Sequence, residues 1–250
     1  MGDVAEKLFA AVLAERLTCW AIANDRLSAA QRAFCRMKGI SFEHSFVLHR
    51  VLESARASKE EVVVAWLDLA DAFGSVPHAV IRRALIDADV PARVVDTVAS
   101  LYQGSTVTEA IPMLSGVRQG CPLNPILFDL VIEPLVRSAE ESVAGFEVYG
   151  EKVIALAYAD DFALIAADPN SMGRFLRAAK VSARALGLSF NFRKCATLHL
   201  GAKGQPIPTP FQLADEHLPV LEHGAGAPTS TLESPRESEP TRLPTAPPIN

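Results

Sequence analysis

Apolar residues at Phe9, Leu13, Leu17 and Trp20 recur at the spacing of one helix face, which predicts an N-terminal amphipathic helix. "SFVLHRVLESAR" predicts a second. The pattern then changes: "EVVVAWLDL" is an unbroken β-branched and apolar run, the mark of a buried strand. Ser75 is placed to cap a helix at "VPHAVIRRALIDA", with Pro77 in its first turn. "ARVVDTVASLYQ", closed by Gly104, reads as the next helix, "STVTEAI" as a strand, and "NPILFDLVIEPLVRSAEES" as a helix starting beside Pro125. "FEVYGEKVIALAYADDFALIAA" predicts strands joined by turns at Gly150 and at the pair Asp160–Asp161. A helix over "NSMGRFLRAAKVSARAL", ended by Gly187, and strands at "LSFNF" and "CATLHL" complete the series. Helices and strands mix without a regular βαβ repeat, so the fold class is α+β.

The apolar periodicity fades near Gly201. Ten of the 17 prolines lie in residues 201–250, so the expected organisation is a globular unit at 1–200 and a disordered Pro-rich tail at 201–250. The chain carries a formal charge of -5, of which the tail supplies three basic and six acidic residues. The first 200 residues are then nearly neutral, which weakens the objection that an acidic chain does not grip nucleic acid. Cys19, Cys35, Cys121 and Cys195 show neither a CxxC pair nor zinc-ligand spacing, which suggests a reduced intracellular protein. Charges every few residues in "MGDVAEKLFAAVLAERL" exclude a signal peptide or membrane span there, and Glu6 stands where a myristoylation signal has Ser or Thr.

Three segments carry candidate chemistry. Asp160 and Asp161 interrupt the apolar "IALAYADDFALIAA". Asp is common in two-residue hairpin turns, so a plain turn is one reading. Adjacent like charges beside a core are costly unless compensated, and a divalent cation with oxygen ligands would compensate them. Asp68 ends the "VVVAWL" strand, where a helix cap or a solvent-facing carboxylate is the alternative. Gln119 sits in "SGVRQGCPLNPILF", whose glycines and prolines alone indicate only a loop entering a helix.

In this order and spacing, "DLADAF", "QGCPL" and "YADD" resemble the reverse transcriptase domain of non-LTR, LINE-like retrotransposons. "GLSFNFRKC" and "QRAFCRMKGISFEHSFVLHRVL" extend the resemblance over about residues 5–200. It implies a polymerase palm with partial fingers of the right-hand fold, and RNA-directed DNA synthesis with two Mg²⁺ ions, Mn²⁺ substituting. Asp68, Asp160 and Asp161 would hold the ions, Asp161 least directly. Backbone amides of Leu69, Ala70, Asp71, Ala72 and Phe73 would meet the triphosphate, and the Phe73 ring would act as a steric gate against a 2′-hydroxyl. Gln119 would position nucleotide and template base; Arg118, Gly120, Pro122 and Tyr158 would border template and primer. Lys194 would protonate or stabilise pyrophosphate. Plain alternatives remain for two of these: a core aromatic for Phe73 and a solvated surface lysine for Lys194. Arg174, Arg177, Lys180 and Arg184 share one helical stretch and read more readily as a solvated face than as phosphate contacts.

The implied partners are an RNA template, a DNA primer and dNTPs, with no membrane, and the implied location is the nucleus, although no import cluster is present. Gly74 stands where many relatives have Asp, and Asn124 where Ser is usual. A basic finger segment, a thumb, an endonuclease motif and a zinc knuckle are not found, so the chain reads as truncated at both ends. A catalytically inactive retroelement fragment or a domesticated nucleic-acid-binding or interaction module is therefore the competing expectation. A viral RNA-dependent RNA polymerase, with Gly-Asp-Asp at the hairpin, and a nucleotide cyclase fit less well.

Overall fold

The computed structural model describes residues 4–28, 30–31, 40–102, 106–108, 111–112, 115–116, 120–142 and 145–221. Its centre is a four-stranded antiparallel sheet built from β1 (Val62–Asp68), β6 (Ala155–Tyr158), β7 (Asp161–Ala166) and β8 (Ala196–Leu200), in the order β6-β7-β1-β8. All seven residues of β1 are buried, because both faces of the sheet are covered. On one face Val63, Ala65 and Leu67 join a large core with α1 (Val4–Ala23), α4 (His78–Asp87), α5 (Ala92–Tyr102), α6 (Asn124–Ser142) and α7 (Pro169–Ala185). On the other, Val62, Val64 and Trp66 meet α2 (Ile40–Ser58) and the hairpin of β4 (Phe146–Val148) and β5 (Glu151–Val153). The short helix α3 (Ala72–Ser75) and the pair β2 (Thr106–Thr108) and β3 (Ile111–Pro112) complete the described elements of the first 200 residues. This is the α+β architecture expected of a palm with fingers, and the unbroken apolar run of β1 is what lets a strand stay buried on both sides.

Several local expectations need correction. In α1 the buried positions are Ala10, Leu17 and Ala21, whereas Phe9 is half exposed. Small residues set the approach to the core there, a signal that apolar spacing alone does not weight. Ser75 ends α3 and does not cap α4: the N-cap position is Pro77, with no side-chain bond. "LSFNF" is not a strand; it makes one bridge, Leu69 to Phe190, and otherwise bonds as a loop. Gly104 lies outside the described residues.

The ordered structure also runs past residue 200. The segment to Leu221 contains β9 (Gln212–Leu213) and β10 (Glu216–His217), and it buries Phe211, Leu213 and Leu218. It borders β8 through Thr197 N–H to the Pro219 carbonyl, Leu221 N–H to the Thr197 carbonyl and Ile207 N–H to the His199 carbonyl, each at 2.8 Å. An edge strand left open would present unpaired backbone groups, and this segment satisfies them. The boundary expected at 200 therefore moves to at least 221; residues 222–250 lie outside the described residues.

Candidate active site

β1 and β7 pair so that Asp68 and Asp161 stand directly opposite each other at the end of the sheet. Directly opposed residues bring their Cβ atoms to about 5 Å, so the strand register itself sets two carboxylates side by side. Asp160 belongs to the two-residue turn between β6 and β7, whose first residue, Ala159, has φ 57°. The Asp160 carbonyl accepts the Leu69 N–H at 3.2 Å, tying this turn to the chain just beyond Asp68. The loop after α7 binds the same stretch: Asn191 N–H donates to the Asp68 carbonyl and Ala70 N–H to the Ser189 carbonyl, both at 2.8 Å.

Asp68 is 3% exposed, and its Oδ1 has no hydrogen-bond partner. Its Oδ2 lies 3.3 Å from the Lys194 ammonium, which is half exposed. Burial, and then repulsion from Asp160 and Asp68, push Asp161 up to about 7, against the opposing pull of Lys194. Burial is also the main cause that raises Asp160. The Cys195 thiol sits beneath the Asp68 backbone and is pushed up to about 11, chiefly by burial.

The residues after Asp68 form a tight corner. Asp71 takes the left-handed conformation, φ 44°, immediately before α3. The Phe73 ring stacks on the buried Phe128 ring at 4.5 Å, which fixes it on the α6 side of the corner. A Cβ on Gly116 would stand 2.9 Å from the Gly74 carbonyl oxygen, so the chain at Gly116 lies close against the backbone of α3. Gly116 has φ 84° and donates its N–H to the Val76 carbonyl. A side chain at Gly116 would meet both obstacles.

Thus Asp68, Asp160, Asp161, Lys194 and the corner Leu69–Phe73 come together. The amides of Leu69 and Ala70 are bound to protein carbonyls, which removes them from the expected set of triphosphate contacts. Gly120, with φ 79°, and Pro122 are both exposed just before α6. Tyr158 pairs with Asp161 across the turn, while Arg118 and Gln119 lie outside the described residues.

Sequence reasoning missed the loop 189–191 as a backbone partner of Asp68, because nothing local marks a loop that bonds to a strand end far away in the chain. It also missed Asp129 and Glu133, two buried acids of α6 joined to Gln31 and Ser28. Their only signal is that they interrupt apolar residues on every side of that helix.

Among the described residues no group of three His, Cys, Asp or Glu side chains is already arranged to hold an ion. The donor type nevertheless fits a hard divalent cation: carboxylates alone, one of them carrying a buried oxygen that lacks a partner.

The family model for reverse transcriptase (RNA-dependent DNA polymerase) matches residues 3–233. The chain belongs to the reverse transcriptase family. Its curated relatives include the Pol polyprotein of the type-1 retrotransposable element R2 from Nasonia vitripennis, 30% identical over 89% of this chain and 22% of the relative. The Pol polyprotein of the type-2 element R2DM from Drosophila melanogaster is 31% identical over 78% of this chain and 18% of the relative. These names identify a non-LTR reverse transcriptase domain, and the chain spans about a fifth of the relatives' length. Among solved structures, apo telomerase from Candida tropicalis truncated from its C-terminal domain matches with TM-score 0.55 at 12% identity, over 81% of this chain and 41% of that one. That likeness shows the fold. Reverse transcriptase domains use divalent metal ions, in keeping with the carboxylate donors.

Proposed function

We propose that this domain is an RNA-directed DNA polymerase that transfers a nucleotidyl group from a dNTP to a primer 3′-hydroxyl along an RNA template. The observation that carries the reading is the direct opposition of Asp68 and Asp161 at the ends of two buried strands, with Asp160 in the turn between β6 and β7. In the reaction the primer hydroxyl gives its proton to solvent, its oxygen bonds to the α-phosphorus, the bond from that phosphorus to the β-phosphate bridge breaks, and pyrophosphate leaves with the electron pair. Two divalent ions, Mg²⁺ or Mn²⁺ in its place, would supply the positive charge that activates the hydroxyl and steadies the phosphates.

Asp68, Asp160 and Asp161 are the residues that would hold those ions. The amides of Asp71, Ala72 and Phe73, at the start of α3, are assigned to the triphosphate by resemblance. Phe73, backed by Phe128, has the support that a steric gate under the sugar needs. Lys194 offsets part of the Asp68 charge, and protonating or stabilising the departing pyrophosphate is the role the reading assigns to it. Gln119, Arg118, Gly120, Pro122 and Tyr158 are assigned to template and primer by resemblance, and nuclear action is part of the same reading.

Purified chain is mixed with primer, poly(rA), dTTP and Mg²⁺ or Mn²⁺. Extension that disappears in Asp160→Ala/Asp161→Ala supports the reading. No product above that control sinks it and leaves the non-catalytic binding module as the function.

A further inference from the structure

The second half of the molecule holds a groove that the carboxylate site does not use. It has a volume of about 970 Å³ and runs between α7 and the β9–β10 hairpin. Its helix wall carries Arg174, Arg177 and Lys180, with Gly173 and Asn170 toward the start of α7. The opposite wall supplies Thr209, Gln212 and His217. The hairpin is held there by Leu213, wholly buried, and by Phe211 against the α7 side. None of these residues is among the carboxylate-site residues.

The charge in this groove is concentrated. The whole chain is -5, yet the 17 residues of α7 hold four basic side chains and no acidic one. The nearest counter-charges are weak partners: Asp215 reaches Lys180 at 3.7 Å while fully exposed, and Asp168 is engaged with Ser171 as the helix cap. Surface pairs of this kind contribute little and are screened by salt. A solvated helix face would need no second wall; here a folded hairpin encloses one side of the basic row.

Two further features select a ligand. Arg174 to Lys180 spans six residues, about 9 Å at 1.5 Å per residue, long enough to meet neighbouring phosphates of one strand. Gly173 leaves the groove floor open, with the Arg177 guanidinium 3.7 Å from where a Cβ would stand. An interior glycine weakens a helix, so its presence here is explained better by close approach of a ligand than by helix stability. Beside the cations the lining holds neutral hydrogen-bonding groups, Asn170, Thr209 and Gln212, the last two bonded to His199 and His217; groups of this kind suit the 2′-hydroxyls that distinguish RNA from DNA.

We infer that the α7/β9–β10 groove binds the ribose-phosphate backbone of RNA outside the copying cleft. The inference rests on the polymerase reading only in expecting RNA at the protein. It anchors an RNA segment on a helix that packs against β1 and β7, the strands that carry Asp68 and Asp161, and gives the basic row a role beyond solvation.

The test uses the full chain, a fluorescently labelled single-stranded RNA 20-mer and the DNA of the same sequence, with anisotropy read across a salt series. Arg174→Ala/Arg177→Ala/Lys180→Ala is expected to weaken RNA binding at least tenfold. It should also reduce the slope of log K against log salt by about 2, from about 0.7 per phosphate contact on single strands. Gly173→Gln fills the floor without changing charge and improves helix propensity, so weakened RNA binding with an unchanged or higher melting temperature supports the groove. RNA affinity and salt slope unchanged in both variants overturn the inference. Equal losses on RNA and DNA overturn the assignment to RNA, and a loss confined to binding of polyglutamate would reassign the groove to an acidic protein. Extension on a short primer–template is expected to survive the triple variant. A wild-type chain that fails to extend therefore refutes the polymerase reading while the RNA comparison still decides the groove.

Discussion

Asp129→Asn should make the fold more stable at alkaline pH. Asp129 and Glu133 lie one turn apart on α6 and are 2% and 6% exposed. Gln31 Nε2 donates to Asp129 Oδ1 at 3.1 Å, and the Ser28 N–H and Arg137 Nε both donate to Glu133 Oε1 at 2.7 Å. The cluster still leaves acceptors stranded: Gln31 Oε1 and Glu133 Oε2 are buried without partners. Burial drives Asp129 from 3.8 to about 7 and Glu133 from 4.5 to about 7, the latter against Arg137 and with Glu140 adding to the rise. A folded pKa above the unfolded one means that the native state binds the proton more tightly. The stability it contributes is complete below about pH 4 and is lost as pH rises through about 7. At 1.36 kcal/mol per pKa unit the Asp129 rise corresponds to about 4 kcal/mol, and relaxation around the charge reduces this to on the order of 2–4 kcal/mol. Asn keeps an oxygen for Gln31 and never ionises. Urea unfolding from pH 5 to 8.5 measures the difference between wild type and variant, in which the contributions of Asp160 and Asp161 cancel. The expected gap is already about a third of that size at pH 5, because the loss begins near pH 4, and it reaches its full size by pH 8. A variant less stable than wild type at pH 8, or a gap independent of pH, refutes the argument from burial.

Three further outcomes are expected. Ala159→Gly relieves a buried left-handed alanine and should stabilise the protein by about 0.5–1 kcal/mol, after the added freedom of glycine in the unfolded chain is subtracted; a lower melting temperature would count against strain at this turn. Millimolar Mg²⁺ or Mn²⁺ should raise the melting temperature, by about 2.7 kcal/mol of stability at a hundredfold excess over Kd, and Asp68→Asn should abolish the rise; equal shifts in both proteins would remove Asp68 from the ligand set. Leu213→Ala, at a wholly buried position beyond residue 200, should cost about 2–5 kcal/mol in chemical denaturation, whereas a change near zero would return that segment to the status of a tail.

How much of this was legible depended on the kind of signal. β1 could be read because a strand covered on both faces must be apolar throughout, and Asp68 marks where that cover ends. The β6–β7 hairpin could be read from two apolar runs around an Asp pair. Their register could not, since the opposition of Asp68 and Asp161 is a relation between segments about ninety residues apart in the chain. The segment after 200 was misread because proline count outweighed the spacing of Phe211, Leu213 and Leu218, three anchors that suffice to hold a short hairpin against α7. Arg174, Arg177 and Lys180 likewise looked like any solvated face until that hairpin gave them an opposite wall.

The same physics explains why the site sits where it does. Two non-glycine residues, Asp71 and Ala159, adopt left-handed backbone on either side of the carboxylates, each at a cost of about 1–2 kcal/mol. Asp tolerates that region through its short polar side chain; alanine has no such compensation. Beside them three carboxylates repel one another, with Lys194 as the nearby cation. Such an arrangement persists only if the surroundings over-determine it. β1 is buried on both faces, β7 is buried from Phe162 to Ala166, and the backbone just after Asp68 is bonded to the β6–β7 turn and to the loop at 189–191. A looser sheet would relax by turning the Asp160–Asp161 tip to solvent, which would relieve both the strain and the repulsion. The local instability is thus held in place by the apolar strands around it, which keep three carboxylates gathered at the end of the sheet with Lys194 as the nearby cation.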